Sequence, residues 1–162
     1  MINNNFQNKL KSNEFVFTAE TSPPDSTVRS EITNRVLCLK DLADAINVTD
    51  GASAKSHLSS LVVSSIIKDI GIEPILQLTT RDRNRIAIQS DLLGAWTLNI
   101  QNILCLYGDQ VKTGDQPETK EVRDLDTLGV INTANYFKKE KKFPSGRSFK
   151  SAPEFFIGGA DT

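Results

Sequence analysis

Short apolar runs recur along the chain, and each stops on a small or polar residue able to do chemistry. Phe15-Val16-Phe17-Thr18-Ala19 runs into Glu20, and Ala45-Ile46-Asn47-Val48 into Thr49-Asp50-Gly51. Ile75-Leu76-Gln77-Leu78 runs into Thr79-Thr80-Arg81-Asp82, and Ile103-Leu104-Cys105-Leu106-Tyr107 into Gly108-Asp109. Runs of this length between turn residues predict buried strands at 15–20, 45–49, 73–78 and 102–107, with a fifth at 154–158.

Helical spacing fills the intervals. An amphipathic turn spans Phe6 to Leu10, and Ser22-Pro23-Pro24-Asp25-Ser26 is a loop because its prolines cannot continue a helix. Ile32, Val36, Leu39 and Leu42 form one apolar stripe. Leu58, Leu61, Val62, Ile66 and Ile67 form the next, with Ser53 or Ser56 as its cap and Gly71 as its stop. A third helix is predicted from Asp82 or Arg83 to Leu98, with Ile86, Leu93 and Trp96 inward, and a fourth from Asp124 to Lys139. The polar stretch 108–123 is too long for a routine connection and reads as a lid or ligand clamp, whereas the basic stretch 138–150 reads as a solvated connection.

Strand and helix alternation implies a parallel sheet with right-handed crossovers. A dinucleotide-binding sheet would carry Gly-x-Gly-x-x-Gly after its first strand, but Glu20-Thr21-Ser22-Pro23-Pro24 stands there. Polar residues end four strands rather than one, which favours a (β/α)8 TIM-barrel type, whose strand ends share one face and can line one pocket. Such a barrel needs eight strands and roughly 250 residues. The expectation is that 1–162 is a partial barrel domain of about the first five β/α units, incomplete at its C-terminal end. Its first and fifth strands would be edges open to a second polypeptide or to self-association.

Composition narrows the partners. With 162 residues, 38% apolar and 24% charged residues and a net charge of −1, the chain is globular in type and has no electrostatic case for nucleic acid or an anionic membrane. A small-molecule partner is expected. No apolar run approaches the ~20 residues of a membrane span, and Met1-Ile2-Asn3-Asn4-Asn5 lacks the regions of a signal peptide, so a cytoplasmic location is expected. Cys38 and Cys105 read as buried free thiols and no metal site is written. His57, placed in the second long helix, reads as a packing or surface residue.

An ordered series of blocks carries a more specific signal. Phe17-Thr18-Ala19-Glu20-Thr21-Ser22-Pro23-Pro24, Asn47-Val48-Thr49-Asp50, Ile75 through Arg85, Gln89-Ser90-Asp91-Leu92-Leu93-Gly94-Ala95 and Leu104-Cys105-Leu106-Tyr107-Gly108-Asp109 resemble the N-terminal half of the methylenetetrahydrofolate reductase family. The resemblance spans about 15–160 with the blocks in order. It implies an FAD-dependent oxidoreductase of one-carbon and methionine metabolism on a (β/α) eight-stranded barrel. The implied reaction reduces 5,10-methylenetetrahydrofolate to 5-methyltetrahydrofolate, with NADH or NADPH as the implied electron donor. The family residues that bind the ribose, diphosphate and adenosine of FAD fall largely beyond the fifth strand, so the chain is expected to bind flavin weakly or to be inactive alone.

Residue by residue, Glu20 matches the family's catalytic glutamate, because opening the folate's five-membered ring requires protonating a nitrogen leaving group. A carboxyl partly shielded between Phe17 and the Pro23-Pro24 loop would suit that role; position alone also allows a capping or solvated glutamate. Asp109 matches an aspartate near the flavin pyrimidine ring that also contacts the folate, although a Gly-Asp turn is common after any strand. Thr49, Asp50, Ala52, Gln77, Tyr107 and Gly108 match further flavin-side positions, with Gly108 expected to let backbone approach a flat ring. Tyr107 stands where some relatives carry arginine. Arg81, Asp82, Arg83 and Arg85 read either as a charged helix start or as ligand contacts. Two other readings stay open: a non-catalytic remnant or barrel-completing assembly partner, and another barrel enzyme using Glu20 and Asp109 without flavin.

Overall fold

The computed structural model describes residues 5–160. Its five strands are β1 (Thr18–Thr21), β2 (Ala45–Val48), β3 (Pro74–Thr79), β4 (Asn102–Leu106) and β5 (Phe156–Gly159). They are parallel and lie side by side in chain order, β1-β2-β3-β4-β5. A doubly wound sheet reverses its order at a switch point. This one never does, so the sheet is part of a (β/α) barrel. Among the described residues β1 and β5 are its two edges.

Helices α2 (Arg29–Leu37), α3 (Ser60–Asp69), α4 (Arg85–Thr97) and α5 (Thr127–Glu140) cover one face. Ile46 and Val48 pack with Ile32, Val36, Val63 and Ile67, while Leu76, Leu78, Ile103 and Cys105 pack with Ile88, Leu92, Ala95, Val130 and Phe137. Because strand side chains alternate, the intervening residues, among them Glu20, Asn47, Thr49, Gln77 and Thr79, belong to the opposite face. The short helix α1 (Asn5–Lys11) plugs the N-terminal end of that face, with Phe6 buried against Ala45, Ile75 and Phe156. Chemistry is left to the other end.

Several predicted boundaries shift. Phe15 and Phe17 lie before β1 and are 78% and 64% exposed, so the first strand starts at Thr18. Leu39 and Leu42 lie past the end of α2, with Leu42 exposed. The cap of α3 is at Ser59, which puts His57 in the preceding loop rather than in a helix. Asn84, not Asp82 or Arg83, caps α4 by accepting the amide N–H groups of Ile86 and Ala87, and this turns Ile86 to solvent. Asp126 caps α5 in the same way, accepting from Gly129, while Asp124 pairs with Arg85. Cys38 is exposed, whereas Cys105 is buried and its thiol is pushed up to about 12 by that burial. The residues 1–4 and 161–162, which hold the predicted leader-free start and the turn after the fifth strand, lie outside the described residues.

The basic stretch 138–150 is folded rather than merely solvated. Lys142 bridges Ser148 in antiparallel fashion, and the Phe143 N–H donates to Arg147 O at 2.8 Å. The turn carries two aromatic rings into the core, where Phe137, Phe143 and Phe149 meet with centroids 4.2–5.5 Å apart. Charge at the surface positions hid an apolar pair. No helix among the described residues is long and apolar enough to cross a membrane.

Phe137 is fully buried at this junction. Phe137→Ala is expected to lower unfolding stability by about 3–5 kcal/mol, read as a drop in the urea midpoint with little change in slope.

Candidate functional site

A cavity of about 750 Å³ lies at the C-terminal ends of the strands. The residues matched to the family's catalytic and flavin-side positions line it, Glu20 on β1, Thr49, Asp50 and Ala52 after β2, Gln77 on β3, and Tyr107, Gly108 and Asp109 after β4, whereas Arg81, Asp82, Arg83 and Arg85 do not. In a barrel this is the end where variable loops gather and catalytic groups collect. Thr79, Leu106, Asp126, Thr127, Leu128 and Ala160 complete the wall. A depression of about 800 Å³ at the other end of the sheet is lined by Lys9, Phe15, Phe17, Asp44, Lys68 and Glu73. Four of its charges are spent on each other, Lys9 with Asp44 and Lys68 with Glu73.

Glu20 and Gln77 point into the cavity from neighbouring parts of the sheet. Glu20 is opposite Asn47 in the β1–β2 register, and Gln77 Nε2 donates to Glu20 Oε2 at 3.2 Å. Gln77 is 7% exposed, so a fixed amide orients an exposed carboxyl. The shielding expected from Phe17 is absent, since Phe17 lies at the opposite end of β1. Thr49 is buried, and its Oγ1 has no hydrogen-bond partner among the described residues. An unmatched hydroxyl in a cavity wall is a position a ligand's polar atom can complete.

Asp50 does something the sequence did not reveal. Its carboxylate is 9% exposed in the residue as a whole and accepts from Ser60 Oγ (3.0 Å), Thr79 N (2.9 Å), Thr79 Oγ1 (2.9 Å) and Arg83 Nη1 and Nη2 (2.6 and 3.2 Å). Burial alone would push this carboxyl up, but the Arg83 charge and the Arg83 and Thr79 hydrogen bonds outweigh it and hold it below the ordinary carboxylate range. Arg83 also donates to Asp91 on α4 at 2.9 Å. Asp50 therefore ties the end of β2 to β3, α3 and α4. Its carboxylate is committed to architecture.

Arg81 and Arg83 are not the solvated helix-start charges that the charged-helix-start reading allows. Arg81 is 4% exposed; it grips Asp82 through two hydrogen bonds and donates to Gly51 O (3.2 Å) and Asp109 O (3.3 Å). It thus joins the loops after β2, β3 and β4. Gly51, at φ +57°, leaves the space that the Arg81 guanidinium crosses, and a Cβ there would collide with Arg81 Nη2. Gly108, at φ +86°, is also constrained by its neighbours. A Cβ would meet Thr79 Cβ at 3.1 Å and Arg81 Cβ at 3.2 Å, so the constraint is loop packing. Arg85 is a surface partner of Asp124, whose carboxyl it draws down to about 2.

The loop after β2 is held in an uncommon backbone. Ser53 and Ala54 have φ of 57° and 53°, and the Ser53 N–H donates to Asp109 Oδ2 at 2.8 Å. Asp109 thus reaches across from the end of β4 and fixes Ala52 in the wall. The 108–123 stretch is also anchored: its 3₁₀ turn, Val111–Thr113, touches the Ala52–Ala54 turn, and the Val122 N–H returns to Arg81 O at 2.7 Å. Arg123 closes the stretch and lays its guanidinium 3.8 Å from the centroid of the Tyr107 ring. A guanidinium from 16 residues downstream is thereby brought onto the Tyr107 ring. His57 bridges two of these loops, facing Asp25 Oδ1 at 2.6 Å and Ala52 O at 3.2 Å. Among the described residues no group of His, Cys, Asp and Glu is arranged to hold a metal.

The sequence model of the family described as methylenetetrahydrofolate reductase matches residues 5–150, and the chain belongs to that family. No curated protein matches it.

The Asp50 network contributes to the acid sensitivity of the fold. A carboxyl held below its unfolded value of about 3.9 contributes stability that is fully present above that pH and is lost as pH falls through the folded value. Asp50→Ala is expected to cost about 3 kcal/mol at pH 7, because it leaves Arg83 with Asp91 alone and the Thr79 and Ser60 donors unmatched, and to flatten the fall in stability below about pH 4, measured by urea unfolding across pH.

Proposed function

We propose that this member of the methylenetetrahydrofolate reductase family supplies the acid and one wall of the flavin pocket for FAD-dependent reduction of 5,10-methylenetetrahydrofolate to 5-methyltetrahydrofolate in the cytoplasm. The observation that carries the reading is the convergence of Glu20, Thr49, Gln77, Tyr107, Gly108 and Asp109 on one cavity at the strand ends. The donor set fits a flavin: an unmatched Thr49 hydroxyl, a backbone turn at Gly108, an exposed aromatic ring at Tyr107 and a fixed carboxylate at Asp109. FAD, when bound, supplies hydride chemistry, with NADH or NADPH as its reductant.

The chain's own residues do the rest. Glu20 holds the proton that the folate's leaving nitrogen needs, and its exposure lets it be replenished from water between turnovers. Gln77 keeps that carboxyl aimed into the cavity. Asp109, held by Ser53, places negative charge beside the ring system and beside the substrate, where it favours a protonated folate nitrogen. Leu128 and Tyr107, 65% and 53% exposed, give the wall an apolar surface suited to flat rings.

The uncovered edges of β1 and β5 favour a further element of the same reading, in which more barrel strands, or a second polypeptide or copy of this chain, cover the sheet. The 162-residue chain alone is then expected not to retain stoichiometric FAD through purification; stoichiometric yellow protein with turnover would contradict this. In the catalytically competent form, Glu20→Gln is expected to slow folate reduction by about 10²–10⁴-fold while nicotinamide-driven flavin reduction stays within severalfold of wild type, followed by stopped-flow absorbance. Equal loss in both half-reactions would remove Glu20 as the acid.

A further inference from the structure

Three consecutive residues of the loop after β2 are each held through the backbone by a side chain, and the middle one, Ala52, stands in the cavity wall. Arg81 Nη1 donates to Gly51 O at 3.2 Å, and the Ser53 N–H donates to Asp109 Oδ2 at 2.8 Å. Between them Ala52 O faces His57 Nε2 at 3.2 Å and also accepts the Lys55 N–H at 3.3 Å. The turn depends on such contacts. Gly51, Ser53 and Ala54 have φ of 57°, 57° and 53°, and at the last two a left-handed backbone is kept against the preference of the residue.

The three holding groups differ in what pH does to them. A guanidinium stays charged throughout and carboxylates titrate in acid, whereas imidazole is the side chain that changes charge near neutral pH. His57 Nδ1 faces Asp25 Oδ1 at 2.6 Å and Nε2 faces Ala52 O, so both ring nitrogens meet oxygens that accept. A neutral imidazole carries one N–H and would turn a lone pair on one of these oxygens; the imidazolium carries two and matches both. The charged groups around this junction are Asp25 on the loop after β1, Lys55 on the ring's own loop, Arg81 and Asp82 behind Gly51, and Asp109 behind Ser53. The ring borders an open depression lined by Asp25, Ser26, Thr27, Ser56 and Leu58, through which water exchanges its protons.

We propose that His57 is the positioning residue of this wall. Doubly protonated, it latches Ala52 to Asp25 on the loop after β1; when it gives up its Nε2 proton to water, Ala52 O loses that donor and the turn loosens. The inference concerns the loop itself and holds whatever ring the cavity receives. The test uses the isotope-labelled 162-residue chain without ligand. His57 is the one histidine in the chain, so the ring nitrogen resonances belong to it and their shifts read its protonation directly. Hydrogen exchange at the Ser53 amide, corrected for the intrinsic pH dependence of exchange, reads the turn.

Between about pH 5 and pH 8, protection of the wild-type Ser53 amide is expected to fall about fivefold or more, in step with loss of the second ring proton. In His57→Gln it is expected to stay within about twofold over that range. In Asp25→Asn the transition is expected to move to lower pH, because the opposite charge beside the ring is gone. A ring that is merely packed would titrate and leave Ser53 protection unchanged. That result, or ring nitrogens that read as neutral imidazole across the whole range, would overturn the latch. The wild-type chain supplies both readouts, so a variant that does not fold leaves the test standing.

Discussion

A single buried carboxylate fixes the geometry on which the site depends. Asp50 stands at the end of β2, and its oxygens are shared among Arg83, Thr79 and Ser60, groups that belong to the start of α4, the end of β3 and the start of α3. Removing a partner from such a cluster leaves an unpaired charge in a poorly solvated place, which costs far more than a surface ion pair contributes. The strand ends are consequently held at fixed distances before any ligand arrives. Arg81 and Arg123 repeat the device one layer higher, on backbone carbonyls rather than on a carboxylate. The three arginines use their forks to hold loops, and the loops hold the cavity.

This division of labour explains which polar groups remain for chemistry. Asp50 is fully engaged, whereas Glu20 has a supporting amide from Gln77 and stands exposed, and Thr49 has an unmatched hydroxyl. Asp109 is intermediate, spending one oxygen on Ser53 while lining the wall. The opposite end of the sheet is closed by α1 and by ion pairs between its own residues. Its aromatic residues, Phe15 and Phe17, contact each other with centroids 4.8 Å apart. Function and closure occupy the two ends of one sheet.

Much of this was legible because it follows from local patterns. The strands β2, β3 and β4 are short apolar runs between turn residues, and their C-terminal neighbours converge because parallel strands in chain order bring those ends to one rim. The family blocks point to the same residues, and the family model matches residues 5–150. What could not be read was partnership over long sequence separations. Nothing local distinguishes Asp50, which binds Arg83 33 residues away, from an aspartate free to meet a ligand. The same holds for Arg123 and Tyr107, and for Phe143 and Phe149, whose burial depends on a turn that brings them onto Phe137. Phe15 and Phe17 read as strand because they are apolar, yet both stand exposed before β1 begins at Thr18.

The central claim, that a flat redox ring is received at the C-terminal rim formed by the end of β1 and the loops after β2 and β4, is tested most directly by titrating FAD into the isotope-labelled chain and following backbone amide shifts. The account predicts that shifts concentrate at Thr49, Ala52, Gln77 and the 107–109 segment, with Phe15, Phe17 and Asp44 unmoved. Shifts confined to the Phe15–Phe17 end of the sheet, or a spectrum indifferent to FAD at saturating concentration, would contradict it.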